Sequence, residues 1–174
     1  KDVHWAVAVE DARVIDVRRH WVTLQTDGGT IYNYLHLNMG ELAVAEGQRV
    51  ILVLDASGSM WGQINGKAKM DIARDVVGKV LSSWKPEDEL GLVVYGHREK
   101  GSCTDIETIM PPRPLDSSAY MSPIKNLVPK GKTPMTQAVR QAAEALKYTE
   151  QKGTVILVSD GLETCEADPC AVAR

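Results

Sequence analysis

The stretch Val50-Ile51-Leu52-Val53-Leu54-Asp55-Ala56-Ser57-Gly58-Ser59 decides the fold. Its first five residues are an uninterrupted apolar run. A strand buried on both faces reads this way, because neither set of alternate side chains meets water. The run stops at a carboxylate. A tight, glycine-containing turn follows, with two hydroxyls spaced by one residue.

Downstream the chain alternates between helix and strand. Ile72, Ala73, Val76, Val77, Val80, Leu81 and Trp84 recur at helical spacing, and Lys85-Pro86 stops that helix. Leu90 to Tyr95 is a second buried strand. Ile106 to Met110 is a third, which Pro111, Pro112 and Pro114 are expected to end. Residues 116–128 hold a short helix or turn. Thr133-Pro134 then opens a helix, with Thr133 read as its N-cap and Met135, Ala138, Val139, Ala142, Ala143 and Leu146 as its apolar stripe. Gly153 breaks it. Thr154 to Val158 is the last strand and leads into Ser159-Asp160-Gly161, and Asp168-Pro169 offers the cap of a further helix. This alternation implies an α/β class with a doubly wound, mainly parallel sheet and helices on both faces.

Upstream of Val50 the character changes. Residues 1–49 read as a small β-rich segment, distinct from the α/β portion at 50–174. Val7 and Val9 alternate with small or polar neighbours, and Val14 and Val17 do so less strictly. Trp21 to Thr26 alternates cleanly. Asp27-Gly28-Gly29 is a hairpin turn signal, and Thr30 to Leu35 returns as the partner strand. Val44 to Val50 reads as another strand–turn–strand step.

The chain has 174 residues, 44% of them hydrophobic, enough for one sizeable core. A net charge of -3 leaves no basic patch to argue for nucleic acid. No apolar run approaches the length of a membrane span, and no signal peptide is visible. The three cysteines, Cys103, Cys165 and Cys170, are an odd number. One bridge plus a free thiol is the simplest secreted reading, with Cys165 paired to Cys170 or to Cys103. The expected location is periplasmic or extracellular. A metal site built from these cysteines and His97 is the rival reading, although their spacing matches no standard zinc pattern.

The chemistry gathers at strand ends. Asp55 and Asp160 each follow an apolar strand, and ligand sites of open parallel sheets lie at such carboxyl ends. Ser57, Ser59 and Thr133 add neutral hydroxyls. Five oxygen donors of this kind suit Mg²⁺, which takes about six oxygen ligands near 2.1 Å and keeps waters. Two carboxylates neutralise the ion, and a position stays open for a partner's carboxylate. Rival readings are weak. Gly131-Lys132-Thr133 would be a phosphate loop only with glycine at 126, where Asn126 stands. Ser57 lacks the Gly-x-Ser-x-Gly elbow of a serine nucleophile.

These residues carry a family likeness. Asp55-Ala56-Ser57-Gly58-Ser59 resembles the Asp-x-Ser-x-Ser motif of von Willebrand factor A domains. Gly131-Lys132-Thr133-Pro134 resembles their threonine loop, and Ser159-Asp160-Gly161 their distal aspartate. Tyr95-Gly96-His97-Arg98, Cys103 and Glu163-Thr164-Cys165 look like a bacterial branch. The resemblance implies a Rossmann-like layered fold with a metal-ion-dependent adhesion site. Its ligands would be Asp55, Ser57, Ser59, Thr133 and Asp160, holding Mg²⁺, or Mn²⁺ or Ca²⁺. It also implies a protein ligand that supplies an Asp or Glu carboxylate, and no enzymatic activity. The family's sheet is longer than this one, which ends after its fourth main strand and is expected to be incomplete.

Residues 10–50 are similar to part of a lysostaphin-type zinc-peptidase β domain, through Thr30 to Leu37 and Val44 to Val50. His36 matches the histidine of its Tyr-x-His-Leu segment. The zinc-binding motifs of that family are absent, so the alternative function, a zinc metallopeptidase fragment acting on cell-wall peptides, is expected to be inactive. Trp61, beside the Ser-Gly-Ser turn, suits either an interface anchor or lid packing. His97 and Arg98 suit either a partner contact or a solvated loop.

Overall fold

A computed structural model describes residues 12–18, 21–26, 31–34, 49–82, 84–85, 88–147, 153–160 and 163–167. The amino-terminal strands β1 (Ala12–Arg18), β2 (Trp21–Thr26) and β3 (Ile31–Tyr34) form an antiparallel sheet in the order β1-β2-β3. Gln25 pairs with Ile31 and Val22 with Tyr34, the hairpin register expected across the Asp27-Gly28-Gly29 signal. The imperfect alternation in β1 has a local cause. Val14 pairs with Leu24 but Asp16 with Thr23, so Ile15 is the extra residue of a bulge and the two-residue period slips there. Val7, Val9, His36 and the Val44 to Gln48 step lie outside the described residues.

The remaining elements are β4 (Arg49–Asp55), the hairpin strands β5 (Gln63–Ile64) and β6 (Lys67–Ala68), α1 (Lys69–Ser82), β7 (Glu89–Tyr95), β8 (Ile106–Pro114), α2 (Ser117–Asn126), α3 (Met135–Ala145) and β9 (Gly153–Val158). The main sheet runs β8-β7-β4-β9, with β4 parallel to both β7 and β9 and β8 antiparallel to β7. Its strands divide two cores by alternation. Val50, Leu52 and Leu54 pack with Met70, Ala73, Val77, Leu81, Tyr120 and Ile124 on the α1–α2 side. Ile51 and Val53 pack with Met135, Ala138, Val139, Ala142 and Leu146 of the α3 side. This is the doubly wound, mainly parallel α/β fold expected from the apolar runs.

Two local expectations are corrected. β8 does not end at Met110 but continues through Pro111, Pro112 and Pro114. It lies at the sheet edge, where an absent N–H costs nothing on the open side. The pairing slips between Leu90 and Leu92, so Pro111 and Pro112 together oppose Gly91 and a bulge absorbs them. Thr133 is not the cap of α3. Pro134 occupies the N-cap position and makes no side-chain cap bond. The cap comes from a distant loop, where Glu163 Oε2 accepts from the Thr136 amide at 2.8 Å. A carboxylate there also complements the positive end of the helix.

Candidate cation site at the carboxyl end of the sheet

The register of β4 against β9 places the site. Leu54 pairs with Val158, so the next residues, Asp55 and Ser159, stand level as the chains leave the sheet. From β4 the chain crosses to β7 on one side, while β9 lies on the other. The crevice between them is the switch point at which open α/β sheets bind ligands.

Asp55 is fully buried. Its Oδ1 accepts the Ser57 amide at 2.7 Å and its Oδ2 accepts the Ser159 hydroxyl at 2.6 Å. Burial pushes its carboxyl above the usual range, and the hydrogen bonds from Ser159 and Ser57 offset this only in part. The Tyr95 hydroxyl is buried beside it and titrates well above its ordinary range, because of burial and then the Asp55 charge.

The hydroxyls are ordered. Ser57 precedes a short 3-10 turn, Gly58–Trp61, yet its side chain does not cap that turn. Ser57 Oγ lies 2.9 Å from Ser59 Oγ, which donates to Asp160 Oδ1 at 2.8 Å. A hydroxyl has one proton, so Ser57 must donate to Ser59. Asp160 Oδ2 then meets the ammonium of Lys69 at 2.8 Å, with the two side chains only 16% and 11% exposed. Ser57, Ser59 and Asp160 are thus joined by side chains, and Asp55 joins through the Ser57 amide.

Thr133 joins through the backbone. Gly58 N donates to Gly131 O at 2.9 Å, and Gly131 N donates to Gly96 O at 2.8 Å, so the turns after β4 and β7 and the threonine loop are woven together. Gly96 has φ +71°, and a Cβ on it would come within 2.6 Å of Lys132 O and 2.9 Å of Ser57 Cα. Only glycine fits that crossing. Thr133 itself is buried. It is clasped by Thr164, whose Oγ1 accepts the Thr133 amide at 2.8 Å and whose own amide donates to Thr133 O at 3.2 Å.

The loop that carries Thr164 is fixed in turn. Glu163 Oε1 accepts the Cys165 amide at 2.8 Å, and Cys165 is disulfide-bonded to Cys103, with the Cα atoms 5.6 Å apart. The Cys165–Cys170 alternative is therefore excluded, and so is a metal site sharing Cys103, Cys165 and His97. His97 Nε2 instead lies 2.9 Å from Glu107 Oε2. Arg98 pairs with the buried Asp105 at 2.7 Å, so both rim residues are engaged by neighbours in the β7–β8 hairpin. Trp61 is 55% exposed, although its Nε1 donates to Pro129 O at 2.9 Å.

Lys69 is the site residue that the sequence pattern did not single out. It is 91 residues from Asp160, and no spacing rule links them. Part of its placement has a sequence signal. Asn65-Gly66, both at positive φ, turns the β5–β6 hairpin and returns the chain to the site, where the Lys69 amide donates to Gly62 O at 2.8 Å.

The von Willebrand factor type A domain model matches residues 50–163, and the chain belongs to that family. It is 33% identical over 132 residues to the uncharacterized protein YwmD of Bacillus subtilis (strain 168), covering 70% of this chain and 58% of that protein. YwmC of the same organism is 28% identical over 134 residues, covering 72% and 59%. The chain thus spans about three fifths of the length of these relatives. Inter-alpha-trypsin inhibitor heavy chain H2 of Sus scrofa is 27% identical over 122 residues, covering 66% of this chain but 12% of that protein. Among the described residues no helix is long and apolar enough to cross a membrane.

Proposed function

We propose that this module binds an acidic residue of a protein partner through a hard divalent cation, Mg²⁺ or else Mn²⁺ or Ca²⁺, held by Asp55, Ser57, Ser59, Thr133 and Asp160. The observation that carries the reading is Asp55. A fully buried carboxylate that accepts from the neutral donors Ser57 N and Ser159 Oγ is costly, and a cation is the natural complement. The donor set fits such an ion, since all five side chains offer hard oxygen and none offers nitrogen or sulfur. Among the described residues no group of three or more His, Cys, Asp or Glu competes as a metal site.

A bound cation would supply an electrophilic position for a carboxylate. The protein's own part is to hold two acids and the ordered hydroxyls in place and to surround them with contact surface. Trp61 and Val128, 55% and 48% exposed, flank the threonine loop and offer apolar anchors to a partner. The Cys103–Cys165 bridge supports residence in an oxidising compartment, periplasmic or extracellular.

Isothermal titration with MgCl₂ and MnCl₂ tests the reading. Wild type is expected to bind one ion, and Asp55→Asn and the Ser57→Ala, Ser59→Ala double variant to lose the heat. Equal heats in all three proteins would overturn the assignment.

A further inference from the structure

We propose that Lys69 sets the balance between the two ligands of the site, weakening its hold on the divalent cation and strengthening its hold on the partner's carboxylate. This rests on the cation-binding reading above. Lys69 is no loose surface lysine. Its backbone amide is tied to Gly62 O at 2.8 Å, directly after the turn that carries Ser57 and Ser59. Its ammonium lies 2.8 Å from Asp160 Oδ2, while the other oxygen of that carboxylate takes the Ser59 hydroxyl at 2.8 Å. Both side chains of the ion pair are largely withdrawn from water, so salt screens the pair weakly.

The charge count gives the consequence. Asp55, Asp160 and Lys69 together carry one net negative charge when both acids are ionised. A divalent cation brings it to one net positive charge, and a single incoming carboxylate brings it to zero. Without Lys69, the two aspartates alone would neutralise the cation, and the partner's carboxylate would leave the assembly negative. Lys69 therefore repels the first ligand and favours the second. It acts as a positioning and selectivity residue, because it touches Asp160 rather than needing to touch either ligand.

The test uses Mn²⁺ and acetate as probes on wild type, Lys69→Met and Lys69→Arg. Mn²⁺ affinity is read by calorimetry. Acetate binding to the Mn²⁺-loaded protein is read by water proton relaxation, which falls as the carboxylate displaces water from the ion. Lys69→Met is expected to bind Mn²⁺ on the order of tenfold tighter and acetate weaker by a similar factor, while Lys69→Arg stays near wild type. A cation-free melting curve verifies that each variant is folded. Mn²⁺ binding by Lys69→Met that is no tighter than wild type, or unchanged acetate binding, overturns the proposal. If wild type binds Mn²⁺ and Asp55→Asn does not, such a result removes only the role of Lys69. If wild type and Asp55→Asn are equally inert to Mn²⁺, the cation reading falls and this inference falls with it.

Discussion

At the end of β4, Asp55 is fully buried and its two oxygens take hydrogens from neutral donors, Ser57 and Ser159. At the end of β9, Asp160 stands nearer the surface and faces a full positive charge on Lys69. The turns behind them differ as well. The turn after β4 is held by backbone bonds to its neighbours, Ala56 to Tyr95 and Gly58 to Gly131. The loop after β9 has one such backbone bond, Thr164 to Thr133, and is otherwise held by side chains and a covalent bond, through Glu163, Thr164 and Cys165. One carboxylate is therefore fixed and uncompensated by a neighbouring cation in the described contacts, and the other is already neutralised. On the proposed reading, the uncompensated acid creates the demand for a cation, and the compensated one moderates it.

The largest expected effect comes from breaking the backbone weave under Asp55. Gly96→Ala puts a Cβ within 2.6 Å of Lys132 O at a positive φ. Strain and overpacking together should cost about 2–5 kcal/mol in urea unfolding. Breaking the covalent hold on the opposite loop comes next. Cys103→Ser opens a bridge between residues 62 apart in sequence and should cost about 2–4 kcal/mol. It should also weaken Mn²⁺ binding, because Thr164 then clasps Thr133 less firmly. Glu163→Ala removes the acceptor of the Thr136 amide at the start of α3 and should cost about 1–2 kcal/mol by the same assay.

The smallest effects sharpen the comparison most, because they should differ in sign. The folded Asp55 carboxyl titrates above its ordinary value of 3.8, since burial disfavours its charge. The stability it contributes is therefore present below the unfolded pKa and is lost as pH rises through the raised folded value. In a chelator, Asp55→Asn should gain stability relative to wild type as pH is raised from about 4 to 7. Asp160→Asn instead loses its ion pair with Lys69 and should be less stable than wild type at pH 7, by about 1 kcal/mol or less. Melting curves of both variants across pH check this. Two shifts of the same sign would show that the acids are not distinct in the way their surroundings imply.

Much of this was legible from residue patterns. β4, β7 and β9 are apolar runs whose neighbours bury both faces, so composition alone identifies them. The helix α1 follows from its spacing, although only Met70, Ala73, Val77 and Leu81 are buried and it ends at Ser82, before the Lys85-Pro86 stop. The prolines of β8 misled because edge position is a property of the sheet, not of the segment. Thr133-Pro134 looks like a helix start, and a helix does start there, but its cap is supplied by Glu163 from 27 residues away. Lys69 and the choice of Cys103 over Cys170 are likewise long-range outcomes. Pairings of that kind depend on how loops meet at the end of a sheet, which local periodicity does not encode.

A crystal of the protein grown with MnCl₂, measured at a wavelength at which manganese scatters anomalously, tests the central claim most directly. The expected result is one strong anomalous peak within ligand or water-bridged distance of Asp55, Ser57, Ser59, Thr133 and Asp160. An ordered, fully resolved site with no anomalous peak at saturating Mn²⁺, or a peak elsewhere in the fold, would contradict it.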